Sequence, residues 1–532
     1  MKLSELFAGV DARVPAQAGQ VEVRALSVDS RKVPQGALFA ALPGASLDGA
    51  AFTQQAIASG ASAILAGRAL ETAPVPCVVS ANPRRAFSLA AARFHGQPSR
   101  SLQLVGVTGT NGKTTTAYLI EQLCAARGVP AGLIGTVEAR WPGGQERATH
   151  TTPESHELQA MLARMVTAGV KVAAIEVSSH ALTQERVAGC TFAGAAFTNL
   201  TRDHLDYHGT MDGYFNAKAR LFRELLPASA PAVLNFDDAR CAGLAQELRR
   251  ARDPRALGFT TRGAPAAALS AEGLTSTLSG LRFTLRLGPP FEPKTLEIES
   301  PLIGAHNAEN LLAALGLLLG LGVPAEALGQ VTKFAAGAPG RLERVPEPDS
   351  SNVSSLDRSH ASSPSSAGGR IVLVDYAHSD DALARALDAI RTAAGPSPRL
   401  ACVFGCGGDR DKGKRPLMGA VAAGRADLTI ATSDNPRTED PLQILAEVEA
   451  GLAASGKPRL DPESAARGAA GYCVVPDRRA AIALAIRQAR RGDAVLIAGK
   501  GHEDYQIVGA EKRPFDDREE ARRALREQGA RA

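Results

Sequence analysis

At 532 residues the chain is too long for one hydrophobic core, and at about 100–200 residues per domain it is expected to hold three. Apolar residues make up 45% and charged residues 22%, as in ordinary globular proteins. The net charge of +5, from 60 basic and 55 acidic residues, is a weak bias; with no basic tract carrying interleaved aromatics, nucleic acid is not an expected partner.

The N-terminal stretch Met1–Pro15 has no long apolar core before a small-residue cleavage site, so no secretory leader is expected. The most apolar stretch, Leu311–Val323, is shorter than the about 20 residues a membrane helix needs, so no membrane insertion is expected. Seven cysteines, an odd number, point to reduced thiols and a cytoplasmic location. Cys402 and Cys406 lack a second Cys or His pair at zinc spacing and read as core or loop residues.

In chain order, residues 1–97 read as a small α/β unit, with a strand-like run at Ala37–Leu42 and a helical stretch at Phe52–Ser59. His95–Ser99 reads as a linker. Residues 98–338 form the central unit. Leu102–Val107 is a buried-strand pattern, followed by a Gly-rich turn and a helix with apolar Leu119, Ile120, Leu123 and Cys124, stopped by Gly128. Val172–Val177, Gly194–Thr198 and Ala232–Leu234 continue the βα rhythm of a mostly parallel sheet. Residues 339–532 form a third, Rossmann-like α/β unit with strands at Ile371–Val374, Leu400–Phe404, Leu428–Thr432 and Ala494–Ala498. Residues 346–369 hold nine Ser and no aromatic, too little apolar surface to offset ordering entropy, and read as a mobile loop.

Gly109-Thr110-Asn111-Gly112-Lys113-Thr114-Thr115 sits between a strand and a helix, where backbone N–H groups and the helix N-terminus converge on a phosphate. Lys113 can reach the outer phosphates and the Thr114 hydroxyl can ligate Mg²⁺. A strict P-loop has Gly where this chain has Val107. Glu176 ends a strand beside this loop, placed to hold Mg²⁺. Further on come His204, in Arg202-Asp203-His204-Leu205-Asp206, and Lys218, in Ala217-Lys218-Ala219-Arg220. Taken alone, His204 is more often a polar loop histidine and Lys218 a solvated helix lysine.

The loop and this ordered set resemble the central domain of the Mur ligases, and the loop also that of their folylpolyglutamate synthase relatives. The resemblance runs from about Val28 to Gln506, leaving out the Ser-rich loop. It implies ATP and Mg²⁺, with catalytic Lys113, Glu176, His204 and Lys218, and with Lys218 carrying a CO₂-derived carbamate that helps position a second Mg²⁺. Carbamylation turns a cation into an anion, which suits a divalent ion, and it needs a deprotonated amine, which burial favours. The resemblance also implies His306, Asn307 and Asn310 on the adenine side, Arg341 near the phosphates and Asp375 at the ribose. Asn307 is equally placed to cap its helix. After His378 this chain has Ser379-Asp380 where the family usually has Asn or Thr and then Pro.

In the N-terminal unit, Val28, Ser30 and the turn Gly44-Ala45-Ser46 match uridine-nucleotide contacts of the branch that adds the third peptide residue. Thr151, Thr152, Ser178, Gln184 and Arg186 match positions that hold the muramyl dipeptide. Asp434-Asn435-Pro436-Arg437 follows a strand, on the edge where ligands sit. In this family the tetrapeptide accompanies meso-diaminopimelate, with Arg410, Gly499 and Glu503. Arg437 can grip a carboxylate, Asn435 can donate and accept, and Glu503 can take an ammonium.

The implied reaction is ATP-dependent addition of meso-diaminopimelate to the D-glutamyl γ-carboxylate of UDP-N-acetylmuramoyl-L-alanyl-D-glutamate through an acyl phosphate, in cell-wall synthesis. Three ligands on three domains imply closure before chemistry, and a monomer is expected. A lysine-adding Mur ligase, a folate polyglutamate ligase and a nucleotide-gated binding protein remain as alternatives.

Overall fold

The computed structural model describes residues 1–44, 48–70, 73–251, 256–347 and 369–529. Ala45, Ser46 and almost all of the Ser-rich 346–369 segment therefore lie outside the described residues. By contacts the chain groups into two units: Met1–Ser270 with Arg286–Thr295 and Glu309–Leu328, and Ala271–Leu285 with Leu296–Ala308 and Gly329–Ala532.

The first unit opens with a four-stranded parallel sheet, Ala25–Ser27, Ala37–Ala40, Ala61–Ala66 and Cys77–Val79, in that spatial order. Side chains alternate across a strand, so Leu38 and Ala40 join one core with Leu3, Leu65 and Phe87. Phe39 and Ala41 fall on the other face with Ile64 and Ala56. The helix Pro83–Phe94 starts where Asn82 accepts from the Arg85 N–H at 3.0 Å and proline occupies the first turn.

The larger sheet of this unit is built on Gln103–Thr108, flanked in parallel by Val172–Glu176 and Gly194–Phe197. Ala232–Asn235 and Ala256–Thr260 continue it on one side and Ala131–Ile134 on the other. The central strand is buried because helices cover both faces, hence its continuous apolar run rather than an alternating one. The hairpin Glu138–Trp141 and Gly144–Arg147 closes one edge, a pairing no Asn-Gly or Asp-Gly turn announced. The apolar run at Leu311–Val323 lies mostly in the helix Ala305–Gly320, where Leu311 to Leu315 are buried on every side. Among the described residues no helix is long and apolar enough to cross a membrane.

The second unit holds a six-stranded sheet in the order Glu343–Val345, Ile371–Asp375, Ala494–Ala498, Leu400–Phe404, Leu428–Ala431, Gly471–Val474. Only the first strand is antiparallel to its neighbour. Val372, Val374, Val403, Val495 and Ile497 face one core, and Leu373, Cys402, Phe404, Leu496 and Ala498 the other. The four expected strands are present, and the expected α/β architecture with mostly parallel sheets is what the molecule has. Cys402 and Cys406 are buried in this core, and all seven cysteines are free thiols.

Candidate active site

Val107 pairs with Glu176 and Thr108 with Phe197, so three parallel strands end level and their loops meet at one carboxyl edge. Gly109 and Gly112 have φ of 141° and 86°, the region that favours glycine. A side chain at Gly109 would run into the Thr198 hydroxyl, and one at Gly112 into the Asn310 amide. The loop is anchored from the neighbouring strand: Thr110 N donates to Asn199 O at 2.9 Å and Asn111 N to Asn199 Oδ1 at 3.0 Å. Lys113 begins the helix Lys113–Ala126 and folds back, donating to Gly109 O at 2.9 Å and Thr110 O at 2.8 Å. Thr115 is buried behind it.

Glu176 is fully buried, and the donors that hold it are neutral. Thr114 Oγ1 donates to it at 2.8 Å, Thr136 N at 2.7 Å and Thr136 Oγ1 at 3.1 Å. A hydroxyl and a buried carboxylate in contact beside a phosphate loop form the hard oxygen pair that fits Mg²⁺. Thr136, which sequence reasoning missed, has no motif around it.

Lys218, on the helix Met211–Arg220, is 1% exposed. Its Nζ donates to Gly109 O at 2.7 Å, the carbonyl that Lys113 also uses. It lies 4.5 Å over the Tyr214 ring. Burial, and then the charge of Lys113, push its pKa well below the usual lysine range. His204 sits elsewhere in the loop set, at a left-handed φ of 50° with its ring half exposed. Among the described residues it approaches Asp203 at 3.4 Å and the His180 and Tyr214 rings, not Thr114 or Glu176. Tyr214 OH is 3.3 Å from Thr110 Oγ1 and ties this cluster to the phosphate loop. No group of three His, Cys, Asp or Glu among the described residues is arranged to hold a metal by itself.

Beside this, Thr152 Oγ1 donates to Glu176 O at 2.7 Å and accepts from Ser178 N at 3.0 Å, which places Thr152 and Ser178 together. Thr151 Oγ1 lies 3.1 Å from Thr136 Oγ1 and donates to it, since the Thr136 proton goes to Glu176. Arg186 binds Thr152 O at 2.8 Å and Gln184 Oε1 at 2.8 Å, and it pairs with Glu154 at 2.8 Å. Between Gln184 and Arg186 stands Glu185 at a φ of 56°, held by Arg220 at 2.6 Å and Arg85 at 3.3 Å. Arg84 lies near Glu154, Arg186 and Tyr207, and burial lowers its pKa. Neither Glu185 nor Arg84 belongs to a motif. In the N-terminal sheet region Ser30 Oγ donates to Gln55 Oε1 at 3.0 Å, Val28 packs against the core, and Gly44 is exposed.

Asn310 is buried in the first unit beside Gly112. In the second unit Asn307 Nδ2 donates to Ile303 O at 2.8 Å and His306 is on the helix's first turn. Asp375 accepts from Leu342 N at 2.7 Å and Ala377 N at 2.8 Å, so both its oxygens hold backbone turns. Burial raises its pKa. Arg341 stacks 4.7 Å over Tyr376.

The loops after Phe404, Ala431 and Ala498 of the second unit bring the remaining residues together. Asn435 Nδ2 donates to Glu503 Oε2 at 3.1 Å, and Arg437, at a φ of 53°, donates through Nη1 to Gly408 O at 2.7 Å. A Cβ at Gly499 would sit 3.8 Å from Asp434 Oδ2, while Arg410 is exposed on the neighbouring loop and Pro436 is buried. Burial, and next the charge of Asp434, raise the Glu503 pKa. Residues outside the expected set frame these loops. Lys500 is fully buried among them, and Arg415 pairs with Glu439 at 2.8 Å and Glu447 at 2.9 Å.

Three family descriptions match in chain order: a Mur ligase catalytic domain at 22–101, a Mur ligase middle domain at 107–318 and a Mur ligase glutamate ligase domain at 363–501. The chain belongs to the Mur ligase family and is an ATP-dependent, amide-bond-forming ligase; members use ATP and Mg²⁺. A relative from Parasynechococcus marenigrum, a UDP-N-acetylmuramoyl-L-alanyl-D-glutamate–2,6-diaminopimelate ligase, is 46% identical over 99% of both chains. One of the same description from Gloeobacter violaceus is 43% identical over 99% of this chain and 98% of its own. A solved structure of a ligase so described superposes with a TM-score of 0.70 at 34% identity, covering 99% of this chain and 100% of that one. A folylpolyglutamate synthase from Mycobacterium tuberculosis, 18% identical with a TM-score of 0.55 over 79% of this chain and 92% of its own, shares the fold.

Proposed function

We propose that this ligase adds meso-diaminopimelate to the D-glutamyl γ-carboxylate of UDP-N-acetylmuramoyl-L-alanyl-D-glutamate. The observation that carries the reading is the amino-acid site. A carboxylate, Glu503, and a guanidinium, Arg437, flank Asn435 on one sheet edge, with Asn435 donating to Glu503 at 3.1 Å. A zwitterionic side chain satisfies both charges, whereas one lacking its carboxylate leaves Arg437 without an anion in a partly desolvated site.

In this reading the glycine loop binds the ATP phosphates through its N–H groups and Lys113. Thr114 and Glu176 would hold Mg²⁺, which would supply charge neutralisation for phosphoryl transfer; His204, which the resemblance also assigns to the metal, lies against Asp203, His180 and Tyr214 in this structure. Asn310, Asn307 and His306 bind on the adenine side, Arg341 near the phosphates and Asp375 at the ribose. Val28, Ser30 and the 44–46 turn take the uridine nucleotide, and Thr151, Thr152, Ser178, Gln184 and Arg186 the dipeptide. The γ-carboxylate attacks the terminal phosphorus, ADP leaves, the diaminopimelate amine attacks the acyl phosphate, and phosphate departs. The chain contributes position and fixed charge rather than a nucleophile.

Lys218 is assigned a carbamate. Burial and the charge of Lys113 favour the neutral amine, the form that attacks CO₂, and two lysines share one carbonyl at Gly109. The anion would relieve that crowding of positive charge. The domain roles follow: 1–97 for the UDP-muramyl substrate, 98–338 for ATP and 339–532 for the amino acid. The enzyme is taken to be a cytoplasmic monomer.

Phosphate release with ATP, Mg²⁺ and the UDP-muramyl dipeptide, comparing meso-diaminopimelate with L-lysine, tests the reading. Release with diaminopimelate and a tripeptide product by mass supports it. Release with lysine alone overturns the specificity, and release with neither overturns the substrate assignment.

A further inference from the structure

Asn435 stands at the centre of the amino-acid site, and its amide has two chemically different ends. Its Oδ1 accepts from Lys500 Nζ at 2.9 Å and from Ile507 N at 3.0 Å. Its Nδ2 donates to Glu503 Oε2 at 3.1 Å. An ammonium and a backbone N–H can only donate, so the end that faces both must be the oxygen. The reversed amide would set an NH₂ against two donors and an oxygen against a carboxylate.

Lys500 is well placed to impose this. It is fully buried, and an ammonium has three protons. Among the described residues its oxygen partners include Asn435 Oδ1, Tyr505 O at 2.7 Å and Asp434 Oδ1, an ion pair at 3.2 Å. The hairpin that supplies Tyr505 and Ile507 is stitched to the same loop: Arg437 N donates to Ile507 O at 3.1 Å and Gly509 N to Arg437 O at 2.7 Å. Both backbone and side chain therefore hold Asn435 in one orientation.

We propose that Lys500 is a positioning residue that fixes the Asn435 amide as a donor only, so that this end of the site reads a carboxylate of the amino acid substrate. The inference rests on the amino-acid site proposed above. Asn435 then cannot accept from a substrate ammonium, and that task falls to Glu503. Arg437 and Asn435 act as two donors on one side and Glu503 as the acceptor on the other.

Two variants test this, each read as separate KM values for diaminopimelate, ATP and the UDP-muramyl dipeptide. Asn435→Asp keeps an oxygen for Lys500 and Ile507 but turns the substrate-facing end into an acceptor. The expected result is a KM for diaminopimelate raised about tenfold or more, with the other two KM values unchanged. Lys500→Met removes one of the two donors that hold the oxygen end and leaves only the Ile507 N–H against reversal; the expected result is a rise in the same direction and weaker discrimination between diaminopimelate and L-lysine. An unchanged diaminopimelate KM in Asn435→Asp, or in Lys500→Met with an unaltered melting profile, overturns the proposal. If Lys500→Met does not fold, Asn435→Asp decides alone; if neither folds, the lysine is a fold determinant and the proposal fails. Wild-type turnover reports on the site reading separately: release with L-lysine alone refutes that reading, and the variant-to-wild-type ratio measured with L-lysine still tests the amide.

Discussion

In the first unit the Glu176 carboxylate is buried among neutral donors, Thr114 and Thr136, and the loop next to it takes its shape from Gly109 and Gly112. In the second unit the Asp434–Arg437 loop is held by full charges from distant parts of the chain. Lys500 sits under Asn435, and Arg415 pairs with Glu439 just beyond Arg437. The first arrangement leaves a buried negative charge for a cation to answer. The second pairs Lys500 with Asp434 and Arg415 with Glu439, and those charges serve geometry. On the proposed reading, the site for phosphate and metal is made by backbone shape, and the site that tells one amino acid from another by ion pairs that hold loops still.

The largest effect on this contrast is expected at Arg478. It is fully buried with Asp517, donating at 2.7 and 2.6 Å, and also binds Ala498 O at 2.9 Å at the root of the Gly499–Glu503 loop. Breaking such a pair leaves an uncompensated buried charge, at about 3–5 kcal/mol. Arg478→Met is expected to lower the unfolding free energy of the second unit by that amount, read from denaturant unfolding, and Arg478→Met/Asp517→Leu to recover much of it. If the double variant is no better than the single, the cost lies in packing rather than charge. In the first unit, Lys218→Ala is expected to cut phosphate release about 10²–10³-fold, the loss typical of removing one preorganised charge. Wild-type activity in CO₂-depleted buffer should rise on adding bicarbonate, while Lys218→Ala should not respond.

The two regions were also unequally legible. Residues 109–115 are contiguous, and both glycines and Lys113 are the types that the proposed wrapping of a phosphate calls for, so the loop could be read from one stretch of chain. The parallel strands behind it, Gln103–Thr108 and Val172–Glu176, announced themselves as apolar runs ended by chemistry-bearing residues. The hairpin at Glu138–Arg147 did not, because Trp141-Pro142-Gly143-Gly144 is an uncommon turn for paired strands. Thr136, Lys500, Arg415 and Glu439 were missed for one reason. Each acts through a partner remote in sequence, Glu176, Asn435 or Arg415 itself, and spacing carries no trace of such pairs. Asn435 was read as able to donate and accept, and only its neighbours remove the second capacity.

A smaller effect is expected at the turn proposed to hold the dipeptide. Glu185 adopts a left-handed φ of 56° between Gln184 and Arg186 and is clamped by Arg220, two residues beyond Lys218 on the chain. Removing a charged hydrogen-bond partner there costs about 1–3 kcal/mol. Glu185→Ala is expected to raise the KM for the UDP-muramyl dipeptide about 5–150-fold, the equivalent of that range, and leave the KM for ATP unmoved. Equal changes in both would make Glu185 a general scaffold residue instead.

The smallest effect is a pH dependence. The Arg415 hydrogen bond, then the Asp409 N–H, hold the Glu439 pKa down to about 2 from 4.5. A carboxylate with a depressed folded-state pKa binds fewer protons folded than unfolded, so its stabilisation is present above 4.5 and is lost as pH falls toward about 2. Glu439 also holds the backbone of Asp409, whose carboxylate accepts from Thr438 Oγ1 at 2.7 Å and so joins the Asp409 loop to the Arg437 loop. Glu439→Gln keeps the shape and an acceptor but not the charge. The stability difference between wild type and Glu439→Gln, followed by amide exchange at residues 434–439, is expected to shrink as pH falls through that window. A difference that stays constant with pH would mean that shape, not charge, holds the two loops together.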